Sequence, residues 1–132
     1  MIVASITELS IVGVFDRGAA NNERIVIRAN NQTDMGQFGL VLGIRTENNA
    51  AAPINDCFFW FGNGFVQPGD LIFVYTGPGS PVTSSLPDGR TKTYSMHWGR
   101  ETTVLQNLEV VPMLLRTDAV NVFEDIPRLP TS

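Results

Sequence analysis

A chain of 132 residues and 14.5 kDa is the size of one domain, and nothing in its composition reads as an interdomain linker. At that mass roughly two thirds of the unfolded surface leaves water on folding, enough for an ordinary core without metals or staples. The formal net charge of -4, with a pI near 4.8, gives a field that repels phosphate backbones and anionic lipid, which argues against nonspecific nucleic-acid and membrane-surface binding.

Eight of the nine basic residues are Arg, with Lys92 the exception, and they are scattered along the chain rather than clustered for anion recognition. Cys57 is the single cysteine, so no intrachain disulfide forms. Met1 to Glu8 lacks a basic n-region and places Glu8 inside its apolar stretch, so it does not read as a signal peptide. No apolar run approaches the roughly 18 to 20 residues that span a bilayer. The expectation is a soluble, cytoplasmic protein, in which the sequon Asn31-Gln32-Thr33 has no role.

Along the chain, short apolar or alternating runs closed by Gly, Pro, Asn or Asp predict strands joined by turns, and helical periodicity is hard to find. Ile6 to Phe15 fits neither period throughout and predicts a bulged strand. After the loop Asp16 to Asn22, Glu23 to Ala29 predicts a strand with one buried side. Ile25 and Ile27 share that side with Glu23, while Arg24, Val26 and Arg28 face away. Asn30 to Gly36 is a polar turn. In the strand Phe38 to Ile44, Phe38, Leu40, Leu42 and Ile44 alternate against Gly39, Val41 and Gly43, and the interior glycines predict a bulge or a close backbone approach.

Thr46 to Pro53 reads as a loop and Cys57 to Phe61 as a fully apolar strand covered on both faces. Gly62-Asn63-Gly64 turns the chain, and Pro68-Gly69 suits the centre of a type II turn leading into the strand Leu71 to Tyr75. Gly77 to Gly89, rich in Pro, Gly and Ser, is too long and turn-rich for a hairpin tip. Thr91 to Trp98 alternates, with Tyr94, Met96 and Trp98 on one face and Thr93, Ser95 and His97 on the other. Thr102 to Gln106, Val110 to Arg116 and Ala119 to Phe123 complete the strands, the last two joined as a hairpin by Thr117-Asp118. Eight or nine short strands without a helix predict an all-β, two-sheet sandwich over residues 1–123; uneven strand lengths argue against a closed barrel. From Glu124 to Ser132 the tail, with Pro127 and Pro130, is expected to be extended or disordered.

The order of these features resembles the lamin-tail domain, an immunoglobulin-like β-sandwich. Glu23-Arg24-Ile25-Val26-Ile27-Arg28-Ala29 is similar to that family's strand of Glu followed by alternating apolar residues, and Gly39-Leu40-Val41-Leu42 follows it. Phe65 to Val74, with Pro68-Gly69, resembles the family's Pro-Gly approach to the next strand, and His97-Trp98-Gly99 and Val110 to Val122 stand where it has an aromatic strand and a final hairpin. Two departures are visible: Phe38-Gly39-Leu40 replaces the family's tryptophan in the second core strand, and the final hairpin lacks an Asp-Gly turn. The resemblance implies an immunoglobulin-like scaffold whose loops or edges bind something else, with no catalytic residue to carry over.

Chemistry-bearing patterns are sparse. His97 would be the base of any Ser or Cys triad, yet its strand position reads as a packed or hydrogen-bonded face residue. One Cys and one His forty residues apart do not make a zinc site, and no calcium loop is present. Cys57, opening an apolar strand, reads as a buried and inert thiol. Gly62-Asn63-Gly64 and Gly77-Pro78-Gly79 precede no helix and read as turns, not phosphate cradles. Arg90, Lys92, Tyr94, Trp98 and Arg100 are the only basic residues interleaved with aromatics, beside the long loop, and form the candidate binding cluster for an acidic partner surface.

The sequence therefore leads us to expect a binding or assembly module without enzymatic activity, cofactor or metal, which contacts a protein partner or itself. A competing class is a small carboxylate-dependent hydrolase or carbohydrate-active domain, marked by two carboxylates about 5 to 10 Å apart in a concave pocket. A third is a structural component of a larger particle.

Overall fold

The computed structural model describes residues 5–47 and 50–124. Within them ten strands form: β1 (Leu9–Phe15), β2 (Arg24–Ala29), β3 (Thr33–Asp34), β4 (Phe38–Arg45), β5 (Ala51–Trp60), β6 (Phe65–Val66), β7 (Leu71–Tyr75), β8 (Val82–Ser85), β9 (Lys92–His97) and β10 (Val110–Arg116). A 3-10 turn, Met35–Gln37, is capped by the Asp34 carboxylate on the Gly36 N–H. The strands pair as a five-stranded sheet of order β1-β2-β7-β9-β8, a three-stranded sheet of order β10-β4-β5 and a small β3-β6 ribbon. The protein is an all-β sandwich. No helix among the described residues is long and apolar enough to cross a membrane.

The alternation that predicted the strands also builds the core. From the larger sheet, Ile25 and Ile27 of β2 stand opposite Val74 and Ile72 of β7, all fully buried. From the smaller sheet, Phe38, Leu40 and Leu42 of β4 meet them in one cluster with Phe61 and Leu105. Each such side chain contributes about 1.5–3 kcal/mol by leaving water, the main favourable term of this fold. The bulge in β1 falls at Val12, where the register slips between Ile11 and Gly13. Gly69, at a φ of +90°, takes the third position of the Gln67–Asp70 turn, closed by Asp70 N–H to Gln67 O at 3.0 Å, as a type II turn requires.

Several elements differ from the sequence expectation. Val82–Ser85 forms β8 inside the presumed long loop, and β8–β9 is a hairpin closed near Leu86 and Thr91. Its partner β9 runs parallel to β7, the one parallel pairing of the larger sheet. Residues 102–106 are not a strand; this segment is held by side chains instead. The Val104 and Leu105 N–H groups donate to Glu23, and Arg17 donates to the Leu105, Asn107 and Val110 carbonyls. Residues 119–123 pair with nothing among the described residues, so no final hairpin forms; β10 pairs with β4 instead. Most of the expected tail, residues 125–132, lies outside the described residues.

Both edges of the smaller sheet carry a proline. Thr117 N–H donates to Gln37 O, and Arg45 N–H to Glu109 O, so odd-numbered residues of β10 face β4 and Pro112 turns its missing N–H outward. Thr46 N–H to Ala50 O sets the same alternation in the first half of β5, where Pro53 is the outward residue. A proline in that position blunts an edge against addition of another strand.

Candidate interaction surface

The candidate cluster from the sequence is divided between the two ends of β9. Lys92 starts the strand beside Asp70, which accepts its N–H at 3.0 Å, whereas the Trp98 N–H reaches Tyr75 O at the other end of β7. Six residues of strand separate them by roughly 20 Å at about 3.3 Å per residue. Arg90 is an exposed residue of the hairpin tip. Its N–H and that of Thr91 bind Asp88, and these bonds, led by the Thr91 hydroxyl, hold the Asp88 carboxyl below its usual range. Tyr94 and Trp98 pack on the core, Trp98 with its ring centre 5.4 Å from that of Phe59. Burial, then the charge of Asp70, pushes the Tyr94 hydroxyl above its ordinary pKa. Arg100 lies over the Trp98 ring and donates to Asp56 O at 3.0 Å. The structure thus joins Trp98 with Arg100 and sets Arg90 and Lys92 at the far end of β9.

The two buried carboxylates serve the fold. Glu23 accepts four hydrogen bonds, from Gly18 N–H, Leu105 N–H, Val104 N–H and the Thr76 hydroxyl. Asp70 takes the Gln67 and Lys92 N–H groups. They stand at opposite ends of β7, too far apart to act on one bond. Among the described residues no group of three His, Cys, Asp or Glu side chains is placed to hold a metal ion. His97 stacks on Tyr75 at 5.2 Å, with its Nδ1 buried and unpartnered under Gly79. Cys57 is buried. A cleft between Asn21, Thr76, Gly77 and Thr102 encloses about 30 Å³, room for water, and an open depression of about 480 Å³ adjoins it at Trp98, Arg100 and Thr102.

A different surface emerges on the smaller sheet. Register places Gly39, Val41 and Gly43 of β4 on its outer face, with Trp60 and Phe58 of β5 beside them and Leu115, Met113 and Val111 of β10 on the other flank. Every outward side chain here is apolar or absent until Arg45 at the far end. Antiparallel sheets commonly present polar residues on the face turned from the core. The larger sheet mixes polar and apolar residues there, with Arg24, Arg28, Thr93 and Ser95 outward beside Val26, Leu71, Phe73 and Tyr75. On the smaller sheet the cover predicted for both sides of Cys57–Phe61 exists on one side only: Cys57 and Phe61 are buried, while Phe58 is 53% and Trp60 51% exposed.

Two glycines shape this face. A Cβ on Gly39 would stand 2.8 Å from the Phe58 ring and from Phe59 O, and one on Gly43 2.9 Å from Met113 Cε and Ala52 O. Phe58 and Met113 therefore lie across a floor without side chains. The Trp60 indole N–H donates to Gly36 O at 2.9 Å, which holds its ring at the end of the sheet. Sequence reasoning missed the face because a run of five apolar or aromatic residues does not show which side is covered. The available signal was the match of Gly39-x-Val41-x-Gly43 with Phe58-x-Trp60, small residues on one strand against large ones on the next.

No family model, curated protein or solved structure matches the chain.

Proposed function

We propose that the chain is a non-catalytic binding or assembly module that meets a protein partner through the outer face of the β10-β4-β5 sheet. One observation carries the reading: Phe58 and Trp60, each about half exposed, stand side by side on a face with no polar side chain between them. Contiguous apolar surface of this kind marks interaction sites on folded domains. Covering the roughly 100 Å² left on each ring is worth about 2 to 3 kcal/mol at about 25 cal/mol per Å². The finer assignment to an immunoglobulin-like sandwich of the lamin-tail type belongs to the same proposal. It is supported by Glu23 standing buried at the head of β2 and by the Pro68-Gly69 turn leading into β7.

A photo-crosslinking amino acid placed at Phe58 in native cells tests the reading, with Phe65, 63% exposed and outside this face, as control. Protein crosslinks at position 58 well above those at 65 are the expected result. Equal or no crosslinking at 58 removes the face as a contact surface.

A further inference from the structure

Resting on that reading, we infer that the partner is a second copy of this chain, and that each copy lays its C-terminal arm, residues 117–124, over the apolar sheet face of the other. The arm is itself uncovered: Val120, Val122 and Phe123 are 72%, 76% and 85% exposed. Thr117 N–H continues the β10 ladder to Gln37 O, and beyond it residues 118–124 pair with nothing among the described residues. Each molecule thus presents an apolar face and an apolar arm that no other described residue covers.

Size favours exchange of arms over face-to-face contact alone. Phe58 and Trp60 together expose roughly 200 Å² and their neighbours Val41, Val111, Met113 and Leu115 are partly covered, against roughly 800 Å² per partner of a stable interface. Reciprocal exchange counts one face and one arm twice. The prolines at Pro112 and Pro53 blunt both edges of this sheet, which directs a partner to its face.

Length matches the arm to the face. Across the receiving face, Gly39 to Arg45 spans roughly 20 Å, and the eight residues of the arm reach roughly 25 Å when extended, at about 3.3 Å per residue. An arm that starts at the Trp60 and Leu115 end therefore brings Glu124 to Arg45, which shares that end of the face with Glu109. Alternation along the arm puts Val120 and Val122 on the same side, against the sheet.

The test uses the full chain. Light scattering after size exclusion is expected to give twice the 14.5 kDa chain mass, with a micromolar midpoint on dilution. Val120→Asp with Val122→Asp, and separately Phe58→Lys, are expected to give monomers with an unchanged far-UV spectrum. Arg45→Glu is expected to weaken the dimer about tenfold, and Glu124→Arg to restore it in the double variant. A photo-crosslinker at Val122 in a mixture of ¹⁴N and ¹⁵N chains is expected to yield mixed-isotope products on the Phe58 to Trp60 segment. A monomer at all concentrations overturns the inference, as do same-isotope products alone, which would mean that the arm covers its own face. If the chain is a monomer while position 58 crosslinks to a different protein, the binding-module reading survives and the second-copy inference fails. If position 58 crosslinks to nothing, both fail.

Discussion

Glu23 accepts the backbone N–H of Leu105, 82 residues further along the chain, at 3.2 Å. This bond and its neighbour from Val104 N–H make a segment without strand pairing into a fixed wall of the sandwich, with the Leu105 side chain fully buried. Replacing Glu23 with Ala leaves the Gly18, Val104 and Leu105 N–H groups without acceptors. At about 1 to 3 kcal/mol for each buried group left unpaired, a loss of about 3 kcal/mol or more is expected. Urea unfolding measures it, and a loss below about 1 kcal/mol, within the range of an ordinary point substitution, would show that water replaces the carboxylate.

Gly39→Ala is expected to destabilise by about 1 to 3 kcal/mol, the usual penalty for overpacking. The new Cβ meets the Phe58 ring and Phe59 O together, both at 2.8 Å. Adding Phe58→Ala frees the ring but leaves the backbone oxygen in place, so only partial recovery of the melting temperature is expected. Complete recovery would mean that the strand itself shifts without cost.

Glu8 and Arg116 join the start of β1 to the end of β10 at 2.9 Å. The Arg116 guanidinium, through its hydrogen bonds, holds the Glu8 carboxyl below its usual 4.5. A depressed carboxyl stabilises the fold above its unfolded pKa and loses that contribution as pH falls through the folded value. Because the pair is partly exposed, about 0.2 to 1 kcal/mol is expected from it near neutrality. Arg116→Gln should therefore lie below the parent in thermal stability at pH 7 and converge with it well below pH 4.5; curves parallel at every pH would show that the pair contributes nothing.

Arg90 and Arg100 are expected to respond differently to charge reversal. The Arg90 side chain makes no hydrogen bond or ion pair among the described residues, and its reversal should change stability by less than about 0.5 kcal/mol. Arg100 bridges Asp56 O and the Trp98 ring, so Arg100→Glu is expected to cost about 1 kcal/mol or more by removing both contacts. Paired denaturation curves decide it: equal effects would show that the Arg100 contacts are not made in solution.

Cys57, 7% exposed, is expected to react with a thiol reagent orders of magnitude more slowly in the native state than in denaturant. Comparable rates would mean that β5 opens readily at its centre.

The strands were legible in the sequence wherever alternation continued long enough to define two faces. Ile25 and Ile27 and Phe38 to Leu42 announced their inward sides, and Pro68-Gly69 named its own turn, because side-chain period and φ preference are local properties. The glycines at 39 and 43 announced a close approach, though not what approaches. What lay beyond local rules was decided by the tertiary structure. Residues 102–106 and 119–123 carry strand-like composition, but a strand exists only where another edge accepts its hydrogen bonds. Glu23 and Arg17 took the first segment's groups with side chains, and the free edge of β10, where Pro112 offers no N–H, is not joined by the second. The apolar run Cys57–Phe61 fixed its own alternation but not which side would meet the core. That depended on β4, whose Leu40 and Leu42 turn to the centre of the sandwich and leave Phe58 and Trp60 on the outside with the glycine floor. The candidate surface is therefore a property of the pairing of two strands, which neither strand's residues specify alone.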